Sequence, residues 1–255
     1  MPEMYDRCLG PALFAPFAAE LGGRASALAP RRVLELAAGT GIATAALVRA
    51  LPAAEITATD LNPAMVSWGS ARVSGPTWLR ADAQSLEFTD GTFELVVCQF
   101  GVMFFPDKVA AFAEAARVLV PGGTMIFTVW DVVAASPFAA ALVDSVAAVL
   151  PTNPPSFVVR VPHGYADPDQ IRRDVEAGGL GVDAIDRLVL PGRAPSAQVL
   201  ADGFCLGTPL RFALDRRGPL EKLTRSVGDE MAGRLGDGPV AGDLAAYVVT
   251  ARRDR

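Results

Sequence analysis

Histidine and cysteine are scarce: His163 stands alone, and Cys8, Cys98 and Cys205 are the only thiols in 255 residues. A lone histidine without paired cysteines does not make a structural zinc site, so no metal is expected. An odd number of widely spaced thiols gives no disulfide framework and fits a reducing, cytoplasmic setting. Positive charge is also short: 23 Lys and Arg face 28 Asp and Glu, for a net charge of −5. Binding to nucleic acid or to an anionic membrane needs basic patches, so neither partner is expected. The pairs Arg216-Arg217 and Arg252-Arg253 read as solvated surface. The first residues, MPEMYDRCLG, show no basic segment followed by an apolar run, so no signal peptide is read. One stretch, VVAASPFAAALVDSVAAVL at 132–150, approaches the length of a bilayer span. It carries Pro137 and a central Asp144, and a charge at mid-bilayer costs about 3 kcal/mol. A buried helix beginning near Ser136-Pro137 is expected instead.

What is present suits a sizeable core: 51% of residues are apolar and 20% charged. A helical segment over 5–22 carries Leu9, Leu13, Phe17 and Leu21 on one side, and Pro11 and Pro16 should kink or break it. Short apolar strands then alternate with helices: RRVLELA, GIATAALVRAL, EITATD, NPAMVSWGSAR, TWLRAD, TFELVVCQF, PDKVAAFAEAARVL (stopped by PGG) and TMIFTVW. That alternation is the mark of crossover units and a parallel sheet. VDAIDRLVL reads as a sixth strand, 195–206 and 218–235 as helices, and LAAYVVTAR as a seventh strand. The expected fold is α/β: a seven-stranded, mostly parallel sheet with helices on both faces and a helical cap inserted before the last strand. It is expected as a single domain over 1–255, with an N-terminal helical segment at 1–30 and a ligand-binding half at 31–130. A second half at 131–242 contains the cap at about 195–236, and the last strand runs over 243–251.

Ligands of open parallel sheets sit beyond the carboxyl ends of the strands, which directs attention to VLELAAGTGIAT at 33–44. Gly39 and Gly41 can adopt positive φ and bare the backbone to a ligand, with Thr40 between them. A dinucleotide would call for G-x-G-x-x-G, and here the third position is Thr44. Glu35, closing the first strand, repels a pyrophosphate and suits an ammonium or sulfonium. Asp60 closes the second strand, where a carboxylate can accept both ribose hydroxyls. Asp82 closes the third, where it can accept from an adenine amino group. A nucleoside with a cationic tail fits all three acids, and that describes S-adenosylmethionine.

Four motifs, VLELAAGTGIAT, ATDLNPAMV, RADAQSLEFTDGTFELVVCQFGVMFFPD and RVLVPGGTMIFTVW, together cover residues 31–130. In them the chain resembles the class I S-adenosylmethionine-dependent methyltransferases, in the small-molecule branch related to the C-methyltransferases of ubiquinone and menaquinone biosynthesis. The resemblance implies a Rossmann-like fold whose seventh strand lies antiparallel between the fifth and sixth, and S-adenosyl-L-methionine as cofactor. It implies that Ala37, Gly39 and Gly41 cradle the methionine part, with Glu35 beneath its amino group. It places Leu61 and Met65 on the adenine and Asp82 and Ala83 at its edge. Gln99 and Phe100 would offer backbone at the methionine end. Ala37-Ala38 departs from the glycine or cysteine common there, a change tolerated unless φ is positive.

The implied reaction is methyl transfer to an O, N or C atom of a small, apolar metabolite, by a monomer or homodimer. Because a sulfonium is already reactive, positioning and exclusion of water supply most of the acceleration, and a base is needed only for a nucleophile that must lose a proton. His163 is the candidate base. The cap and the first helix are expected to wall the acceptor pocket, with Tyr5, Met103, Phe104, Trp130, Phe204 and Phe212 as candidate lining. Two other readings remain open at this point: a non-catalytic cofactor-binding partner or sensor, and a nicotinamide-dependent oxidoreductase.

Overall fold

A computed structural model describes residues 1–254; Arg255, the last residue of the expected domain, lies outside the described residues. The chain divides into two compact units. The helical unit comprises Met1–Pro16, Asp131–Gly164 and Val189–Ala245, and the sheet unit comprises Phe17–Trp130, Tyr165–Leu188 and, of the described residues, 246–254.

Seven strands form one sheet: β1 (Arg32–Glu35), β2 (Glu55–Asp60), β3 (Thr77–Arg80), β4 (Phe93–Gln99), β5 (Leu119–Trp130), β6 (Gly181–Ala194) and β7 (Val240–Arg252). Their order is β3-β2-β1-β4-β5-β7-β6. The pairs from β3 to β5 are parallel, and β7 runs antiparallel to β5, with Ile126 opposite Thr250. The strand order reverses between β1 and β4, so the switch-point crevice opens beside the end of β1.

Helices pack on both faces, as strand alternation requires. On one face α1 (Ala15–Leu28) and α2 (Ile42–Ala50) meet the sheet through Leu21, Ala25, Ala46 and Leu47, against Val33, Leu95, Val97 and Ile126. The next residue of β5, Phe127, points to the other face. Its ring centroid lies 5.2 Å from that of Phe112 on α4 (Lys108–Val118), which follows α3 (Pro63–Arg72) in the chain. Helix starts follow the capping rules: Asn62, Asp107 and Ser136 each accept a backbone N–H of the following turn. Ser136 opens α5 (Pro137–Val149), the helix expected from the long apolar stretch. Among the described residues no helix is long and apolar enough to cross a membrane.

Three local outcomes differ from the sequence reading. The N-terminal segment is not broken at its prolines: Tyr5–Phe14 forms a π-helix containing Pro11, and the N–H of Ala15 reaches five residues back to Gly10. The wider turn accommodates a residue that has no N–H to give. The PGG at 121–123 does not separate helix from strand, because β5 begins at Leu119 and runs through it. A register irregularity between Phe93 and Leu95 absorbs the detour. Finally, β3 ends at Arg80, and Asp82 lies in a turn beyond it, because its carboxylate accepts the N–H of Gln84 and stops the strand.

Trp78 on β3 fits a slot under α3. A Cβ built on Gly69 would stand 2.3 Å from its ring, and the indole N–H is fixed to the carbonyl of Val73 at 3.2 Å. Gly69→Ala is therefore expected to lower stability by about 1–2 kcal/mol, overpacking outweighing the helix propensity gained. Urea unfolding checks this, and a raised midpoint would contradict it.

Candidate ligand site at the carboxyl edge of the sheet

The site belongs to the sheet unit and grows from the turn after β1. Leu36 donates to the carbonyl of Val97 on β4 and Ala38 to that of Thr59 on β2, both at 2.8 Å, so the turn bridges both neighbouring strands. Ala37, Gly39 and Gly41 all have positive φ, +53°, +58° and +90°. A Cβ on Gly39 would meet nothing within 4 Å, so the backbone faces open space there, whereas one on Gly41 would press on Trp78 and Val73 at 3.1 Å. Ala37 carries the strain its sequence left conditional, about 1 kcal/mol for a left-handed alanine. Its methyl group is close to the turn after β4: a Cβ on Gly101 would lie 2.5 Å from it.

Asp60 ties this turn to the next. Its Oδ2 accepts the N–H of Gly39 at 2.9 Å and its Oδ1 that of Asn62 at 2.8 Å. Burial raises its pKa, and those two N–H donors pull it back down. Glu35 is 1% exposed, and its Oε2 has no hydrogen-bond partner. Burial pushes its pKa up to about 8, opposed by the nearby Thr44 hydroxyl and reinforced by Asp60. Thr44 and Glu35 approach each other without a sound hydrogen bond, since Thr44 Oγ1 is itself unsatisfied, as is Thr40 Oγ1. Three orphaned polar atoms between Glu35 and Thr44 are unusual in a folded protein and call for an explanation, of which a ligand at this turn is one.

Further along the edge, a cleft of about 550 Å³ is lined by Leu61, Leu79, Arg80, Ala81, Asp82, Ser85, Glu87 and Phe88. It brings together the expected adenine contacts Leu61 and Asp82. Met65 on α3 is half-buried, and Ala83 is buried beside Asp82. At the end of β4 follow Gln99 and then Phe100, which is left-handed at φ +53°. Its N–H is held by the carbonyl and hydroxyl of Thr128, and its ring stacks on Trp130 at 3.8 Å. Met103 Sδ accepts the N–H of Trp130 at 3.3 Å. Phe100, Met103 and Trp130 are buried and Phe104 is 45% exposed.

The other candidates lie in the helical unit. Tyr5 stacks on Phe14 at 4.9 Å, Phe204 is half-buried, and Phe212 is 55% exposed. His163 sits in a turn with Nδ1 2.6 Å from the carbonyl of Asp131. The ring must donate there, which places its proton on Nδ1. Burial lowers its pKa, partly offset by that carbonyl. Sequence reasoning missed Thr44, treated only as the absent third glycine, and also Thr59, whose hydroxyl holds the Glu35 carbonyl at 2.8 Å. A buried threonine inside an otherwise apolar run was the available signal.

Residues 34–127 match the family described as "Methyltransferase domain". Over these residues the chain carries a methyltransferase domain, similar to those of the class I S-adenosylmethionine-dependent methyltransferases. It is similar to the demethylmenaquinone methyltransferase of Thermus thermophilus, 39% identical over 102 residues, 38% of this chain and 46% of that protein. It is also similar to the malonyl-[acyl-carrier protein] O-methyltransferase of Halorhodospira halophila, 41% identical over 104 residues, 38% of this chain and 34% of that enzyme. The chain thus spans less than half the length of these two curated relatives. The likeness of fold extends further than the identity: the YcgJ protein of Bacillus subtilis superposes with a TM-score of 0.61 at 20% identity, over 94% of this chain and 99% of that one.

Proposed function

We propose that the protein transfers a methyl group from S-adenosyl-L-methionine to a small, apolar metabolite. The observation that carries this reading is the turn at 35–44. Glu35, buried and with one carboxylate oxygen unpartnered, closes β1 just before backbone with positive φ, and Asp60 is tied to the same turn. In this reading Gly39, Thr40, Gly41 and Ala37 hold the methionine part, and Glu35 faces its ammonium. Asp60 takes the ribose, Leu61, Met65, Asp82 and Ala83 take the adenine, and Gln99 and Phe100 border the methionine end. The bound cofactor would supply an activated methyl group. The chain's own part is to align it and to keep water away. His163, its protonated Nδ1 fixed on Asp131, is the group proposed to accept a proton where the acceptor must lose one. Two relatives named as methyltransferases of demethylmenaquinone and of malonyl-[acyl-carrier protein] support a metabolic acceptor. We place the reaction in the cytoplasm, without nucleic-acid or membrane partners, in a monomer or homodimer.

Titration calorimetry with S-adenosylmethionine, S-adenosylhomocysteine and NAD tests the cofactor. Both adenosyl ligands should bind with micromolar affinity and NAD should not. Binding of NAD instead would restore the oxidoreductase reading. Methyl-labelled cofactor incubated with pooled metabolites tests the transfer. Binding with no labelled product from any pool would leave a sensor or partner subunit.

A further inference from the structure

The outer wall of the 550 Å³ cleft is a segment without helix or strand. Residues 82–92 join β3 to β4 and contribute Asp82, Ser85, Glu87 and Phe88 to the lining. A wall of that kind has no hydrogen-bond ladder of its own, so its shape must be imposed from outside. Near its start Gln84 bonds to Asp82 and accepts the N–H of Asp107, and from Leu86 to Asp90 the constraint comes from one side chain at the end of α4. Arg117 donates from Nη1 to the carbonyl of Phe88 and to Asp90, both at 2.7 Å. It donates from Nη2 to the carbonyl of Leu86 at 2.8 Å. Nε and Nη2 fork onto Glu114 at 2.8 Å, and Glu114 in turn accepts the N–H of Leu86 at 2.7 Å. The backbone closes the clasp, with the N–H of Gly91 on the carbonyl of Arg117 at 3.0 Å. Every N–H of the guanidinium is committed, and three of those bonds go to the wall itself.

We propose that Arg117 is a positioning residue for base recognition: its guanidinium holds the 82–92 segment so that Asp82 meets the exocyclic amino group of the adenine. This deepens the proposed function and rests on it. The alternative is a purely stabilising ion pair, but the Asp90 arm, whose side chain is 71% exposed, contributes little to folding, and two of the five bonds go to wall carbonyls rather than to a charge. A planar fork that reaches two carbonyls and two carboxylates instead fixes geometry, which a lysine cannot reproduce.

The test compares S-adenosylhomocysteine with S-inosylhomocysteine, in which a carbonyl oxygen replaces the amino group. Wild-type protein should prefer the adenosyl ligand by about thirtyfold or more, because an acceptor facing Asp82 leaves that carboxylate unsatisfied. In Arg117→Met and Arg117→Lys the preference should fall to about threefold or less, read on protein whose circular dichroism is native. Loss of stability alone would not change this ratio. Should Arg117→Met fail to fold, Arg117→Lys and Glu114→Gln decide the matter. A wild-type ratio retained in folded variants overturns the positioning role and leaves the cofactor assignment standing. Wild-type protein that binds neither ligand sinks that assignment, and the positioning role with it.

Discussion

Asp60→Ala is expected to weaken S-adenosylhomocysteine binding by about a hundredfold or more. An ionised carboxylate offers about four acceptor positions. The N–H groups of Gly39 and Asn62 occupy one on each oxygen, which leaves room for the two ribose hydroxyls. Hydrogen bonds to a charged acceptor contribute about 1.5–3 kcal/mol each, so losing two removes two or more decades of affinity. Alanine also strands the Gly39 and Asn62 N–H groups, loosening the turn that receives the rest of the ligand. Asp60→Asn perturbs the turn less: an amide fills the space but presents one acceptor where two donors wait, so the turn loses one bond rather than two. Calorimetry gives the affinity, and melting curves with and without ligand show whether the free protein remains folded. An affinity within a few-fold of wild type would place the ribose elsewhere.

The parts of this site that the sequence revealed share a property. Glu35 and Asp60 close strands whose apolar runs are unambiguous, so strand length alone put both acids at one sheet edge. Ser136-Pro137 marked a helix start because capping chemistry is local. What stayed hidden depends on contacts between distant residues. The 82–92 segment has no periodicity, and its anchor Arg117 sits 27 residues from Asp90, on a helix whose apolar face is fully explained by packing. Positive φ at Ala37 and Phe100 is imposed by β1 and β4 meeting their neighbours, and neither residue type signals it. Pro11 misled because proline usually ends an α-helix, whereas a π turn admits it.

Glu35→Gln should separate two consequences of one buried acid. In the folded protein the Glu35 pKa is raised from 4.5 to about 8, chiefly by burial. The folded state therefore keeps a proton that the unfolded chain releases, and the resulting stability falls as pH rises. The relative stability is fully present below about pH 4.5 and is lost progressively as pH climbs through 8. Glutamine does not titrate, so the ligand-free variant should melt above wild type at pH 9, by a difference on the order of 3 kcal/mol, and the gap should close toward pH 5. Ligand binding should move the other way. A cationic group beside Glu35 favours its ionised form, so near pH 7 wild-type protein should release close to one proton as S-adenosylmethionine binds. Calorimetry in two buffers of different ionisation enthalpy measures that proton. Glutamine supplies no charge, so the variant should release none and bind at least about tenfold more weakly. Parallel melting curves for the two proteins from pH 5 to 9, together with equal affinities, would mean that Glu35 meets neither solvent nor cation and that its unpartnered oxygen has another cause.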